Sequence, residues 1–116
     1  MYEYRARVVR VIDGDTLDVD IDLGLKAWLR DVRIRLAGID TPELHGPDSE
    51  KAKEARDFLD HEVGGGNVTL RTRKPDPADK YGRWLAEVIP AGQTRSVNER
   101  LVEAGLAKRY DGGKRQ

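Results

Sequence analysis

The 116-residue chain has no cysteine and two histidines, His45 and His61. Without thiols it can form neither a disulfide nor a thiolate zinc site. No apolar stretch approaches the length of a membrane span. The start, Met1-Tyr2-Glu3-Tyr4-Arg5, is not followed by an apolar run, so no signal peptide and a cytoplasmic location are expected. A surplus of one charge is also missing, since 21 Lys+Arg balance 21 Asp+Glu. A protein that only coats nucleic acid usually carries a basic excess. Neutrality still suits an enzyme that acts on a polyanion, because acidic cation ligands offset basic phosphate contacts in the sum. No repeat or break in composition divides the chain, and its length fits one domain with one small core.

What is present in the first half reads as strands. Tyr4 to Ile12 is rich in Val and Arg. Thr16 to Leu23 alternates acidic and apolar residues with period two, which puts Leu17, Val19, Ile21 and Leu23 on a core-facing side. Asp13-Gly14 is a turn signal between these two segments. Gly24 ends the second, and Trp28 to Ile39 forms a third, with Val32, Ile34 and Leu36 inward and Arg33 and Arg35 outward.

A helix follows, opened by Pro47-Asp48-Ser49-Glu50 with Asp48 or Ser49 as N-cap. Ala52, Ala55, Phe58 and Leu59 fall at helical spacing, and Gly64-Gly65-Gly66 ends it. Asn67 to Arg73 and Arg83 to Ile89 are two more strands. Val97 to Ala104 is a short second helix, with Gly105 placed for a left-handed cap. The tail from Lys108 is basic and expected to fray. This order predicts an α+β fold, a five-stranded OB-type barrel with two helices. The domain is expected over residues 1–110, with 111–116 as a flexible basic tail.

Three short stretches carry chemistry. They are Asp13-Gly14-Asp15-Thr16, then Arg35 with Asp40-Thr41-Pro42-Glu43, then Asp79-Lys80-Tyr81-Gly82-Arg83. Together they supply carboxylates for a hard cation, a spare acid for proton transfer and two guanidiniums for a phosphate. Few tasks other than cutting a phosphodiester need all of these. Asp-Gly is common in plain turns, so Asp15 alone would say little; the Asp40 block gives it weight.

These motifs, with Val97-Asn98-Glu99 and Gly105-Leu106-Ala107, resemble the staphylococcal (micrococcal) nuclease-like family in one order over nearly the whole chain. The family continues into a third helix after the region of Gly105, and the fold here is expected to lack it. The connection around Gly24 to Asp31 is longer than in the secreted nucleases. Tyr110 is the nearest candidate for the family's base-holding aromatics but does not align cleanly, and it is left out of the expected site.

With the resemblance, each residue receives a role. Asp15, Asp40 and the Thr41 carbonyl are the expected cation ligands. An oxygen-only set fits Ca²⁺ or Mg²⁺ better than zinc, and the resemblance implies one Ca²⁺, with Mg²⁺ or Mn²⁺ as alternatives. Glu43 is the expected general base, and Pro42 before it restricts the backbone of Thr41. Arg35 and Arg83 are the expected phosphate clamps, and Lys80 and Tyr81 contact a flanking phosphate. Asp13 is read as a turn-former or partner of Asp15. The expectation is a monomer that hydrolyses DNA, and RNA as a second substrate, without a membrane partner. The resemblance implies low sequence specificity and a phosphate left on the 3′ side. A non-catalytic nucleic-acid or nucleotide-binding module on the same barrel is the alternative, although such a module would be expected to lose ligands that this chain keeps.

Overall fold

In the computed structural model, which describes residues 2–44, 46, 49–64, 66–73, 78 and 80–110, the alternating segments become three long antiparallel strands. They are β1 (Tyr2–Asp13), β2 (Thr16–Gly24) and β3 (Ala27–Leu36). The chain continues through β4 (Ile39–Asp40), α1 (Ser49–Val63), β5 (Asn67–Thr72), β6 (Trp84–Pro90), α2 (Val97–Glu103) and β7 (Lys108–Arg109). Five strands close a barrel in the order β1-β2-β3-β6-β5, and β4 pairs with β7 in a separate two-stranded sheet. The fold is therefore α+β, an OB-type barrel with two helices.

The period-two pattern of β2 explains its central place. Leu17, Val19 and Ile21 are fully buried with Ile34, Leu36, Leu70 and Val88 from the neighbouring strands. The intervening aspartates point outward into rows of arginine. Arg10 and Arg33 lie opposite Asp18, and Arg7 lies opposite Asp20. Arg33 Nε and Nη2 donate to Asp18 at 2.9 and 3.1 Å, and Arg10 also donates to it. Covered by both arginines, Asp18 is only 2% exposed on the outside of the barrel. Arg30 likewise donates to Asp20 at 3.0 Å.

Leu23 departs from the expected pattern and is 54% exposed. Asp22 pairs with Trp28 and Gly24 with Ala27, so Leu23 is the extra residue of a β-bulge. A bulge removes its extra residue from the alternation that would have sent it inward.

Helix α1 packs Ala52, Ala55, Leu59 and Val63 on the core, with Phe58 at the margin. Of the residues expected to open it, Pro47 and Asp48 lie outside the described residues, as does the tail 111–116. Helix α2 begins at Ser96, whose hydroxyl accepts from the Glu99 N–H. It ends with Gly105 at φ 76°, where the N–H groups of Gly105 and Leu106 donate to Val102 and Leu101. That pair of bonds is a Schellman cap, which glycine enters without steric cost. The chain after it does not fray at once. Lys108 and Arg109 pair with Asp40 and Ile39, and the Tyr110 N–H donates to Gly38 at 2.8 Å. Backbone pairing overrode the composition from which fraying was expected.

Buried Asn98 joins α2 to the barrel. Its Oδ1 accepts from the Val88 N–H at 3.0 Å, and its Nδ2 donates to the carbonyls of Ala37 (2.8 Å) and Ala86 (3.2 Å). Asn98→Ala would strand a buried N–H on β6 without adding a substitute. We expect a loss of about 2–4 kcal/mol in denaturant unfolding at unchanged native circular dichroism; a loss under about 0.5 kcal/mol would contradict the role of the carboxamide.

The Asp18 pair is expected to respond to acid. The Arg33 hydrogen bond holds the Asp18 carboxyl below the usual carboxylate range, against the opposing effect of burial and with help from Arg10. A lowered folded pKa stabilises fully above the unfolded value of ~3.9 and ceases to do so as pH falls through the folded value. Asp18→Asn should cost about 1–3 kcal/mol at neutral pH. In urea unfolding this difference should shrink as the solution is acidified through that range. A difference that stays constant would refute the pairing.

Candidate active site

One end of the barrel collects the turn between β1 and β2, the last residues of β3, β4 with the segment after it, and the start of β6. The parallel pairing of β3 with β6 sets Arg35 opposite Leu85, which brings Arg83 to the same mouth. The β1–β2 turn is pressed against its neighbours at Gly14. A Cβ there would lie 2.6 Å from Ala55 Cβ on α1 and 3.0 Å from Thr41 Oγ1. Only a residue without a side chain permits this approach, and it holds Asp15 against the chain at Thr41.

Asp15 is 8% exposed. Its Oδ2 accepts from the Thr41 N–H at 3.2 Å, and its Oδ1 accepts from the Thr16 hydroxyl at 3.1 Å. Burial works to raise its pKa, but hydrogen bonding with Asp13, the Arg35 charge and these two donors outweigh it and keep the carboxyl below its ordinary range. Asp13, whose Oδ1 accepts from the Asp15 N–H at 3.1 Å, goes the other way. Burial first, and then the Asp15 carboxylate, push it up to about 6. Two neighbouring carboxyls thus compete for one negative charge, as expected where acids are gathered beyond what the protein's own cations neutralise.

Arg35 faces these acids with a side chain 12% exposed. Its Nη1 donates to the carbonyls of Leu36 (2.8 Å) and Ile39 (2.9 Å). Its Nη2 donates to Asp40 at 3.3 Å and lies 3.5 Å from Asp15. The turn from Leu36 to Ile39 therefore wraps the guanidinium and aims its other edge between the two carboxylates. It is anchored more firmly than the outward surface position read from strand alternation. On the far wall, Arg83 and Lys80 approach the Tyr81 ring at 5.2 and 5.3 Å from its centroid, while Tyr81 is 70% exposed. Glu43 is exposed, and among the described residues its carboxylate makes no hydrogen bond or ion pair.

A cleft of about 740 Å³ is lined by every residue singled out from the sequence: Asp15, Asp40 and Thr41, Arg35 and Glu43, and Lys80, Tyr81 and Arg83. Asp79 of the third motif lies outside the described residues. Asp13 and Tyr110 also line this cleft. Tyr110 was left out because it does not align, and no local pattern marks it. It arrives by the pairing of β7 with β4. The Asp13-Gly14-Asp15 spacing was the available signal for Asp13.

Among the described residues no three Asp, Glu or His side chains form a complete metal-ligand set. Asp15 and Asp40, brought together at Arg35, are nevertheless oxygen donors of the kind a hard cation takes alongside water and substrate oxygens.

The family model described as "Staphylococcal nuclease homologue" matches residues 33–116. The chain is similar to the thermonuclease of Staphylococcus hyicus, 37% identical over 109 residues, covering 91% of this chain and 59% of the relative. It is 38% identical over 104 residues to the thermonuclease of Staphylococcus intermedius, covering 87% and 56%. An uncharacterized endonuclease of Escherichia coli O157:H7 is 38% identical over 109 residues, covering 94% and 63%. The chain thus spans a little over half the length of these relatives.

Gly14→Ala tests whether the site depends on the close approach of the turn. The added methyl meets Ala55 and Thr41 below normal contact distance, and we expect a loss of about 1–3 kcal/mol by denaturant unfolding. Gly46→Ala, where the nearest atom is 3.4 Å away, should stay within about 0.5 kcal/mol of the parent. Equal stability of both variants would refute the steric argument.

Proposed function

The chain belongs to the staphylococcal nuclease homologue family, and on that premise we propose that it is a metal-dependent phosphodiesterase that cuts DNA and RNA with little sequence specificity. The observation that supports this most is that Asp15, Asp40, the anchored Arg35 and the exposed Glu43 line one cleft.

Asp15, Asp40 and the Thr41 carbonyl would hold one divalent cation, with Ca²⁺ the first candidate. Once bound, the ion supplies charge neutralisation and polarises a phosphoryl oxygen. The chain's own groups do the remaining work. Glu43 takes a proton from the attacking water as the water oxygen bonds to phosphorus. The opposite P–O bond breaks, the ester oxygen leaves and takes a proton from solvent, and the phosphate stays on the 3′ side. Arg35 and Arg83 hold the phosphoryl oxygens while negative charge grows on them. The carbonyl bonds fix one edge of Arg35, and its Nη2, which meets Asp40 and Asp15 in this structure, would turn from them to the phosphoryl oxygens. Lys80 and Tyr81 receive a neighbouring phosphate.

Plasmid and single-stranded DNA incubated with Ca²⁺, Mg²⁺, Mn²⁺ or EDTA test the proposal. Cleavage should vanish in EDTA and return with Ca²⁺, and Asp40→Ala should be folded and inactive. Undiminished cleavage in chelator would overturn the metal-dependent reading, and binding without turnover would indicate a non-catalytic module. Arg83→Lys retains the charge but loses the guanidinium fork. Its kcat should fall on the order of 10²–10³-fold at nearly unchanged DNA binding. Arg73→Lys, outside the motifs, should keep most activity.

A further inference from the structure

A second cleft, of about 460 Å³, adjoins the first, and the segment Asp40–Glu43 lines both. Its other walls come from Lys51 on α1 and from the stretch Gly105 to Lys108 that leads into β7. The pairing of β7 with β4 sets Lys108 opposite Asp40. We infer that this cleft is a second phosphate subsite, which holds the backbone phosphate next to the reacting one on the side away from Lys80 and Tyr81. The inference rests on the reading of the first cleft as the hydrolytic site.

The charge pattern is the first argument. On the outside of the barrel three arginines are paired with acids of β2, Arg10 and Arg33 with Asp18 and Arg30 with Asp20. Lys51 and Lys108 are both exposed, and neither has an ion pair among the described residues. The acids that share their cleft are Asp40 and Glu43. With Asp40 committed to a cation, two ammonium groups face one carboxylate. The excess of one positive charge suits one phosphate.

Continuity is the second argument. A nucleic-acid strand whose reacting phosphate lies between Arg35 and Arg83 has to leave the first cleft in two directions. Lys80 and Tyr81 serve one of them. The shared Asp40–Glu43 wall opens the other, and there Pro42, Leu106 and Ala107 provide apolar surface for a sugar or base beside the two lysines. Lysine suits such a contact, since a flexible point charge follows a backbone without reading sequence.

Lys51→Ala, Lys108→Ala and the double variant test the subsite with two substrates. One is a single-stranded oligonucleotide; the other is thymidine carrying one nitrophenyl phosphodiester and no flanking nucleotide. For the double variant we expect KM on the oligonucleotide to rise roughly tenfold, as for one lost charge-assisted contact, with kcat and the small substrate unaffected. The slope of log Kd against log salt, from fluorescence anisotropy of a labelled oligonucleotide, should fall by about 0.7. Lys51→Arg with Lys108→Arg should restore binding. Equal KM in parent and double variant, or equal losses on both substrates, would overturn the subsite. Should the parent bind the oligonucleotide without cleaving it, the hydrolytic reading fails, and the anisotropy comparison still decides the subsite. Absence of binding by the parent would overturn both.

Discussion

Three hydrogen bonds of one buried carboxamide hold the working end of this barrel together. Asn98 reaches from α2 to the Val88 N–H and the Ala86 carbonyl on β6, and to the Ala37 carbonyl just beyond β3. β3 and β6 are the parallel pair that closes the barrel, and they carry or adjoin Arg35 and Arg83. Parallel pairing is slightly less favourable per residue than antiparallel pairing, and here it covers a short register, Ile34 to Leu36 against Trp84 to Ala86. A side chain that satisfies backbone groups on both strands compensates at that seam. The seam beside both arginines is thus braced by α2, an element that contributes no residue to the cleft.

Charge is handled differently on the two sides of the same strands. Outside, Asp18 sits between Arg10 and Arg33, and the exposed heads of those arginines remain solvated while they cover it. At the mouth, Asp15 and Asp40 share Arg35, whose Nη1 is taken up by two carbonyls. Burial, and then the neighbouring Asp15 carboxylate, raise the pKa of Asp13 there. Under the proposed function a divalent ion would offset these acids, and complete pairing with arginine would leave it nothing to offset.

Much of the site was legible because its residues are grouped locally. The spacing of five between Arg35 and Asp40 has a simple origin in the turn that wraps the chain around the guanidinium. Pro42 and Gly14 likewise carry backbone constraints visible in one letter each. Leu23 was misplaced because a bulge depends on the partner strand, which periodicity in one segment does not report. The fraying assigned to the chain from Lys108 onward failed at Lys108 and Arg109 for a related reason. Their partners, Asp40 and Ile39, lie far away in the chain.

The sequence by itself determined the alternating strands, the helix stripes, the cap at Gly105 and the three acidic and basic motifs, since each depends on neighbours within a few residues. The tertiary structure alone decided that those motifs share one cleft, that Asp13 and Tyr110 join it, and that Asp13 and Asp15 titrate in opposite directions. It also placed Lys51 and Lys108 together across the Asp40–Glu43 segment. The physical reason is that proximity and desolvation arise between segments distant in the chain. They exist only once the barrel has closed and both α2 and β7 have docked against it.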